Sequence, residues 1–411
     1  MHANEPARPE LPAPEQSKLD RMEEAQQRGL RGWQIIMGVG FALWLLTFVG
    51  ERGGWLVPEN SRVLVAVLQL VTGITIIQGA CEAFVQGVER LGARLRWEGF
   101  ISGTVGSLVA TLPEFVVIAF LVRVEPLAAF VTTVVTIYNN ALAFSVYSFF
   151  LPKDVRGEFR MPPSLIKAGA EVLIAGSGAA MIVGVIMLVL RADAVKTSLA
   201  GPDLVLIGAV LITIYAFYLR ALVRYYAEGD EHDDPSHPPD PDELGHDTRW
   251  GSIASMFALG AAGSYFGGEA IGGFADTALN RLGLPAIATA SGLAFFAGIS
   301  EYIIVYKAHR RGELGIALSN VFGGMTQVLF LLVPFSMLVI AALGAATGSP
   351  AYAIPITTET ILLMLLLFPL LYVLLQHMQE GRALSNSNAV AMTAVYTLLL
   401  YFLFTAPAAR P

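Results

Sequence analysis

The sequence predicts an all-α, polytopic membrane protein with about 11 transmembrane helices. Of its 411 residues, 55% are hydrophobic and only 14% are charged, which is too apolar for an ordinary soluble protein. Many stretches contain about 20 apolar residues, the length that a helix needs to cross a bilayer. Nearly all of the chain is therefore expected to lie within the lipid bilayer.

The predicted organisation is a tail, one extra helix and two sets of five helices separated by an acidic linker. Residues 1–31 are rich in Pro, Glu and Arg and have no apolar segment, which predicts a disordered cytoplasmic N-tail and not a signal peptide. The remaining units are an extra transmembrane helix with its loop (32–61), a first repeat of five helices (62–225), an acidic cytoplasmic linker (226–250) and a second repeat of five helices (251–411).

Eleven apolar segments define the predicted spans. Each is long enough to cross a bilayer as a helix, and polar or charged loops separate them. The spans are 33–50, 62–87, 99–122, 126–151, 166–190, 203–225, 251–280, 285–306, 314–345, 355–376 and 388–406.

The distribution of Lys and Arg predicts the orientation, because the cytoplasmic loops of membrane proteins carry an excess of both residues. With the N-terminus in the cytoplasm, 19 of the 26 Lys and Arg residues fall on the cytoplasmic side. The opposite orientation reverses this bias. The C-terminus is therefore expected outside, and the pattern, with no targeting signal, suits a bacterial inner membrane.

The two sets of five helices are expected to form inverted-topology repeats. Because five is odd, the second set starts on the opposite side of the membrane from the first. An offset of 187 residues takes Glu82 to Glu269 and Glu114 to Glu301, and 32 positions separate the two acids within each repeat. Inverted repeats are a common plan of transporters whose site lies near the middle of the membrane.

Glu114 and Glu301 are the leading candidates for cation or metal ligands. A carboxylate is costly in hydrocarbon, so it usually faces a cavity, a partner or an ion. Pro113 predicts a break that exposes backbone carbonyls, which are hard oxygen ligands of the kind that Ca²⁺ prefers. A structural carboxylate paired with nearby hydroxyls is the alternative, and the duplicated context disfavours it. Glu82 and Glu269 are secondary acids. Their alternative roles are a proton path, the point where ions enter, or the pairing of helices.

Neutral polar side chains on the same spans could complete the coordination. Asn140 follows Glu114 by 26 positions, and Gln327 follows Glu301 by the same number. Amides also join membrane helices by hydrogen bonds, so ligand and structural roles both stay open for Asn140 and Gln327. The other candidate ligands are Asn139, Thr111, Ser300 and Thr326.

These motifs resemble the calcium/cation antiporter superfamily, whose two inverted repeats each carry an essential Glu. The segment from Thr104 to Glu114, ending in Leu-Pro-Glu, resembles the first-repeat motif of the sodium/calcium exchanger branch. Gly323 to Pro334 resembles Gly-Ser-Ala-Thr-Gln-Ile-x-Leu-Phe-Val-x-Pro of the cation/proton exchanger branch. The plan of one extra helix, five helices, an acidic loop and five helices is closest to that second branch. The resemblance covers roughly residues 62–406.

The resemblance implies a secondary antiporter that exchanges Ca²⁺, or a related cation, for H⁺ by alternating access. Glu114 and Glu301 would be its paired carboxylate ligands. Exchange for Na⁺ within the same fold is the alternative, because the motifs around the two acids point to different branches. The proton-exchanger motif Gly-Asn-x-x-Glu is absent from both halves, with Thr111 and Gly298 at the positions of its Asn.

Other function classes are disfavoured. A passive cation channel would need a continuous pore and usually several subunits. An enzyme is not expected, since none of the six His residues falls in the middle of a span, and no cofactor is expected besides the transported ions. No basic patch suits nucleic acid. The partners are thus small inorganic cations and the lipid bilayer, and the sequence leaves a homodimer open.

Overall fold

The computed structural model is a helical bundle. It describes residues 32–405 except 55, 57–60, 96–104, 107, 162, 229–247, 311, 313 and 382. The predicted N-tail and most of the predicted acidic linker lie outside the described residues. The all-α, polytopic fold class is confirmed.

The first half of the chain contains the extra helix and the helices of the first repeat. A 3₁₀ turn, Ser148–Phe150, extends α4. The helices are α1 (Gly32–Arg52), α2 (Arg62–Leu95), α3 (Leu112–Val124), α4 (Pro126–Tyr147), α5 (Pro163–Ala192) and α6 (Gly201–Glu228).

The second half repeats this order with more interruptions. A π-helical segment, Thr277–Arg281, ends α7, and another, Val328–Leu332, joins α10 to α11. The helices are α7 (Trp250–Asp276), α8 (Ala286–Ala297), α9 (Ile299–Arg310), α10 (Leu314–Gln327), α11 (Val333–Thr347), α12 (Thr358–Gly381) and α13 (Asn386–Thr405).

Each predicted span contains helix in the described part of the chain, but several spans are broken. The eighth is divided into α8 and α9, and the ninth consists of α10, a π segment and α11. By length and apolar composition, eight helices among the described residues are able to cross a membrane. The total of eleven spans therefore stays a prediction.

Two short antiparallel sheets tie the loops together. Strand β1 (Glu158–Arg160) pairs with β4 (Ala383–Ser385), and β2 (Ser198–Leu199) pairs with β3 (Ile354–Pro355). Each sheet joins two loops that the sequence places on the same side of the membrane. β1 and β3 precede the fourth helix of their repeats, and β2 and β4 precede the fifth. The two strands of one sheet are therefore the repeat equivalents of the two strands of the other sheet. This exchange is what two repeats of opposite orientation produce.

Helices α2 and α7, the first of each repeat, pack along most of their length through glycines. A Cβ atom at Gly267 would lie 2.8 Å from the Ile77 side chain, and one at Gly260 would lie 2.8 Å from the Phe84 ring. Small residues let membrane helices approach closely and gain van der Waals contact. Met37 of the extra helix α1 then packs against the same pair of helices.

Replacing Gly267 by Ala is expected to destabilise the protein, because the new methyl group would overlap Ile77. Overpacking of this kind costs about 1–3 kcal/mol. The matched control is Gly251→Ala on the same helix, where nothing lies within 4 Å of the new Cβ. Thermal unfolding of the purified protein should show a lower Tm for Gly267→Ala only. An unchanged or higher Tm for Gly267→Ala would contradict this packing.

Candidate functional site

Glu114 lies in the first turn of α3, directly after a break in the helix. Thr111 forms the turn, Pro113 stands at the start of α3, and Glu114 follows it. The Thr111 hydroxyl donates a hydrogen bond to the Leu108 carbonyl at 2.7 Å. Because a proline has no N–H and crowds the preceding turn, the predicted break at Pro113 has a local cause.

Glu301 occupies the equivalent position in the second repeat. Gly298 interrupts the helix between α8 and α9, and Glu301 lies in the first turn of α9. The offset of 187 residues takes Thr111 to Gly298, so both repeats break at the same point. Gly298 is needed there because a Cβ atom would lie 2.6 Å from the Tyr302 hydroxyl. A carboxylate in the first turn of a helix is favoured by the helix dipole.

The structure brings the two predicted ligands together. The carboxylates of Glu114 and Glu301 are close enough for their charges to interact. The Cys81 thiol of α2 lies within range of both of these charges and of Glu82. Both glutamates are half-buried, and Glu114 borders a cavity inside the bundle. Two acids from opposite repeats thus share one region of the interior.

Asn140 lies beside the Glu301 carboxylate. Its side chain is fully buried on α4, and its Nδ2 faces the Glu301 carboxylate. Among the described residues its Oδ1 has no hydrogen-bond partner, and a buried carbonyl oxygen without a partner is costly. An amide that is held in this position can supply a carbonyl oxygen to a cation.

The other predicted ligands lie on the same helices. Thr326 and Gln327 are buried at the end of α10, and the Thr326 hydroxyl donates to the Phe322 carbonyl at 3.0 Å. Asn139 is half-buried, and its Nδ2 has no hydrogen-bond partner within the described part of the chain. The backbone of Ser300 belongs to α9, but its side chain is outside the described part.

A cavity lies against Glu114. Its empty volume is about 680 Å³, which includes the space at its open mouth. Its polar lining consists of one carboxylate, one amide and three hydroxyls. The apolar lining comes from α2, α3, α7, α8, α9 and the π segment before α11. The polar residues are Glu114, Gln78, Thr132, Thr133 and Thr136.

The cavity extends in one direction from the glutamates. On α2 its residues precede Glu82, on α3 they follow Glu114, and on α4 they precede Asn140. Each of these segments leads to a helix end that the sequence places outside. The lining residues thus lie on the predicted outer side of the glutamates.

Helix packing shows the same asymmetry between the repeats. The α3 helix packs chiefly against α7 of the second repeat, whereas its equivalent, α9, packs chiefly against α10 of its own repeat. Two repeats of similar fold in different arrangements are expected of a transporter in one of its two end states. A one-sided cavity follows from this arrangement.

The secondary acids are in different surroundings. Glu82 is half-buried next to Cys81, between the glutamate pair and the predicted inner end of α2. Glu269 is exposed on the surface of α7. The structure therefore places Glu82 near the pair and does not place Glu269 there.

Four polar residues of the cavity lining were not predicted from the sequence: Gln78, Thr132, Thr133 and Thr136. The three threonines precede Asn140 by eight, seven and four positions, which puts them with Asn140 on one face of α4, and this spacing is visible in the sequence. Gln78 of α2 lines the cavity without such a pattern. Within the described residues, no group of three or more His, Cys, Asp or Glu is placed to hold a metal ion. Neutral oxygens would therefore have to supplement the two carboxylates.

Comparison with known proteins gives one family match and several similar structures. Residues 252–406 match the family model described as sodium/calcium exchanger protein. The crystal structure of the H⁺/Ca²⁺ exchanger CAX is similar over 92% of this chain and 89% of its own, with a TM-score of 0.66 and 14% identity. Native YfkE is similar over 91% of this chain and 99% of its own, with a TM-score of 0.60 and 14% identity. Both structures share the fold of this chain.

The sodium-calcium exchanger NCX_Mj, soaked with Na⁺ and Sr²⁺, is also similar, at 17% identity over 82% of this chain and 98% of its own, but the TM-score is only 0.49. Among curated proteins, none has a sequence that matches this chain. The fold and the apolar helices define an integral, multi-pass membrane protein. The family match covers the second half of the chain, and the fold of the whole chain is similar to that of the H⁺/Ca²⁺ exchanger CAX and of YfkE.

The direction of the cavity can be tested by thiol labelling in a Cys81→Ala background. A cysteine in place of Gln78, which lines the cavity and is half-buried, should react with a membrane-impermeant thiol reagent added from outside. Ca²⁺ should slow that reaction. Ser145→Cys is the control, because Ser145 is fully buried toward the predicted inner end of α4 and should stay unlabelled. Labelling of the Gln78→Cys variant only from the inside would refute an outward opening.

Proposed function

We propose that the protein exchanges Ca²⁺, or a related divalent cation, for H⁺ across the membrane by alternating access. The observation that carries this proposal is the pairing of Glu114 and Glu301, each in the first turn of a helix that restarts after a break, with Glu114 lining a cavity. Two carboxylates from inverted repeats match the charge of one divalent cation.

The coordination sphere would be completed by neutral oxygens. Ca²⁺ takes about 6–8 oxygen ligands at roughly 2.3–2.6 Å in flexible geometry. The two glutamates can supply up to four of these. The Asn140 amide, the Thr136 hydroxyl and carbonyls freed at the helix breaks are the nearest further donors, with Asn139, Gln327, Thr111, Ser300 and Thr326 as additional candidates.

Competition for the same two carboxylates would couple the fluxes. When the cation leaves, two negative charges remain close together in an apolar interior, which is unfavourable until protons or other cations neutralise them. Movement of the α2–α7 pair relative to the other helices would then close the outer cavity and open an inner one. Half-buried Glu82, near Cys81 and the glutamate pair, would guide ions on that inner route, whereas exposed Glu269 would not contribute to it.

Exchange of Ca²⁺ for Na⁺ is the second candidate. The match of residues 252–406 to sodium/calcium exchanger proteins favours it. Against it stands Gly323-Gly324-Met325, where that branch has Gly-Ser-Asn, so a multi-ion sodium site lacks ligands. We further propose a bacterial inner membrane as the location, with a cytoplasmic N-terminus and an outer C-terminus.

Neutralising either central acid should abolish exchange. Glu114→Gln or Glu301→Gln keeps the size of the side chain and removes one of the two charges, which is expected to cost roughly 3 kcal/mol, or about 100-fold, in cation affinity. Uptake of ⁴⁵Ca²⁺ into proteoliposomes is the measurement. Glu359→Gln is the control, because Glu359 is a buried acid of α12 outside the site. Full exchange by Glu114→Gln or Glu301→Gln would exclude the proposed ligands.

The coupling ion can be identified with separate gradients. Vesicles energised by a proton gradient alone should take up ⁴⁵Ca²⁺, and vesicles with a sodium gradient alone should not. Uptake should saturate with Ca²⁺ and stop when the counter-ion gradient is removed, which a passive channel would not show. Uptake driven by the sodium gradient alone would favour the second candidate, and no uptake in either case would require a different substrate.

A further inference from the structure

Gly324 of α10 faces the Glu301 carboxylate. A Cβ atom at Gly324 would lie 2.7 Å from both Glu301 carboxylate oxygens and 2.9 Å from the Asn140 Nδ2. The carboxylate and the amide therefore occupy the space that any side chain at position 324 would fill. We call this space, bounded by Gly324 and Asn140, the Gly324 niche.

The close approach at Gly324 depends on the missing side chain and not on unusual backbone freedom. Gly324 lies within the regular helix α10 and is not among the described glycines with positive φ. Its neighbour Gly323 has much more room, since the nearest atom to a Cβ there would be the Gln327 Nε2 at 4.0 Å. The close approach is thus specific to one of the two adjacent glycines.

The first repeat has no such niche. The offset of 187 residues takes Gly324 to Ile137, whose side chain is fully buried on α4. An isoleucine fills the equivalent position, so a carboxylate could not withdraw there in the same way. The two glutamates are related by the repeat, but only Glu301 has a space beside its helix to enter.

The cavity lining shows the consequence. Glu114 lines the outward cavity, whereas Glu301 is not among the lining residues. Glu301 lies instead against Gly324 and beside the Asn140 Nδ2, which faces its carboxylate. The site open to the outside therefore presents one carboxylate, and the second is held back.

We infer that Glu301 is a mobile ligand, that the Gly324 niche holds its carboxylate away from the cavity while no cation is bound, and that Gly324 thereby sets cation affinity and turnover. This inference rests on the proposed function, since it assumes that Glu114 and Glu301 bind one cation. The cation would first meet Glu114, and Glu301 would then leave the niche to complete the site. Return of Glu301 to the niche would help to release the cation.

The niche should weaken binding in a predictable way. If Glu301 occupies its binding-competent position only part of the time, the apparent affinity for the cation is the intrinsic affinity multiplied by that fraction. A substitution that removes the withdrawn position restores the intrinsic affinity. A niche occupied about nine-tenths of the time would weaken binding about tenfold. Filling the niche should therefore tighten binding and slow release.

The test compares Gly324→Ala with Gly323→Ala in the full-length protein. We expect Gly324→Ala to lower the Kd for Ca²⁺, measured by isothermal titration, and the KM for ⁴⁵Ca²⁺ uptake about tenfold, and to lower kcat by a similar factor. Gly323→Ala should change neither value, because its methyl group meets no close neighbour. Equal Kd, KM and kcat in Gly324→Ala and wild type would overturn the inference.

A double variant covers the case in which Gly324→Ala does not fold. In Gly324→Ala/Glu301→Ala the clashing carboxylate is absent, so the protein should fold as well as Glu301→Ala alone, judged by yield and by monodispersity in size-exclusion chromatography. The extra alanine should then leave the remaining Ca²⁺ affinity unchanged. Misfolding of the double variant, or an affinity different from that of Glu301→Ala, would show that Gly324 does not act through Glu301.

These outcomes are distinguishable from failure of the proposed function. If wild-type protein neither binds Ca²⁺ nor takes it up under either gradient, the proposed function itself is wrong. If wild type binds and exchanges Ca²⁺ and the Gly324→Ala values are those of wild type, only the mobile-ligand inference is wrong.

Discussion

The structure depends on keeping two carboxylates in an apolar bundle without exposing them to lipid. A charged side chain at membrane depth is tolerated where it faces a cavity, an ion or a fixed dipole. Here each glutamate stands in the first turn of a helix that restarts after a break, at Thr111 in one repeat and at Gly298 in the other. The breaks, the cavity and the glycine-rich packing of α2 on α7 follow from that requirement.

Both repeats must hold a carboxylate in the apolar interior, but the residues that break the helix before it differ. Pro113 starts the helix that carries Glu114, whereas the break before Glu301 depends on Gly298 and the Tyr302 ring beside it. The packing of α3 and α9 also differs, and the cavity lining includes Glu114 but not Glu301. The repeat relation places the two acids at equivalent positions, and the surroundings of the two acids differ.

The helices and the central acids were predictable because they depend on local patterns. Apolar segments of sufficient length predicted the helices, and the repeated context of Glu114 and Glu301 predicted their meeting. The niche at Gly324 was not predictable, since a glycine in a membrane helix usually indicates helix packing, and its real neighbours come from α4 and α9. The exposure of Glu269 likewise depends on which face of α7 meets α2, which its position along the chain does not specify.

A structure of the protein with bound Ca²⁺ would test the central claim most directly. The ion can be located by its anomalous scattering at long X-ray wavelength. One Ca²⁺ should lie within about 2.3–2.6 Å of carboxylate oxygens from both Glu114 and Glu301. An ion bound to only one of these glutamates, or at a site that includes neither, would contradict the account.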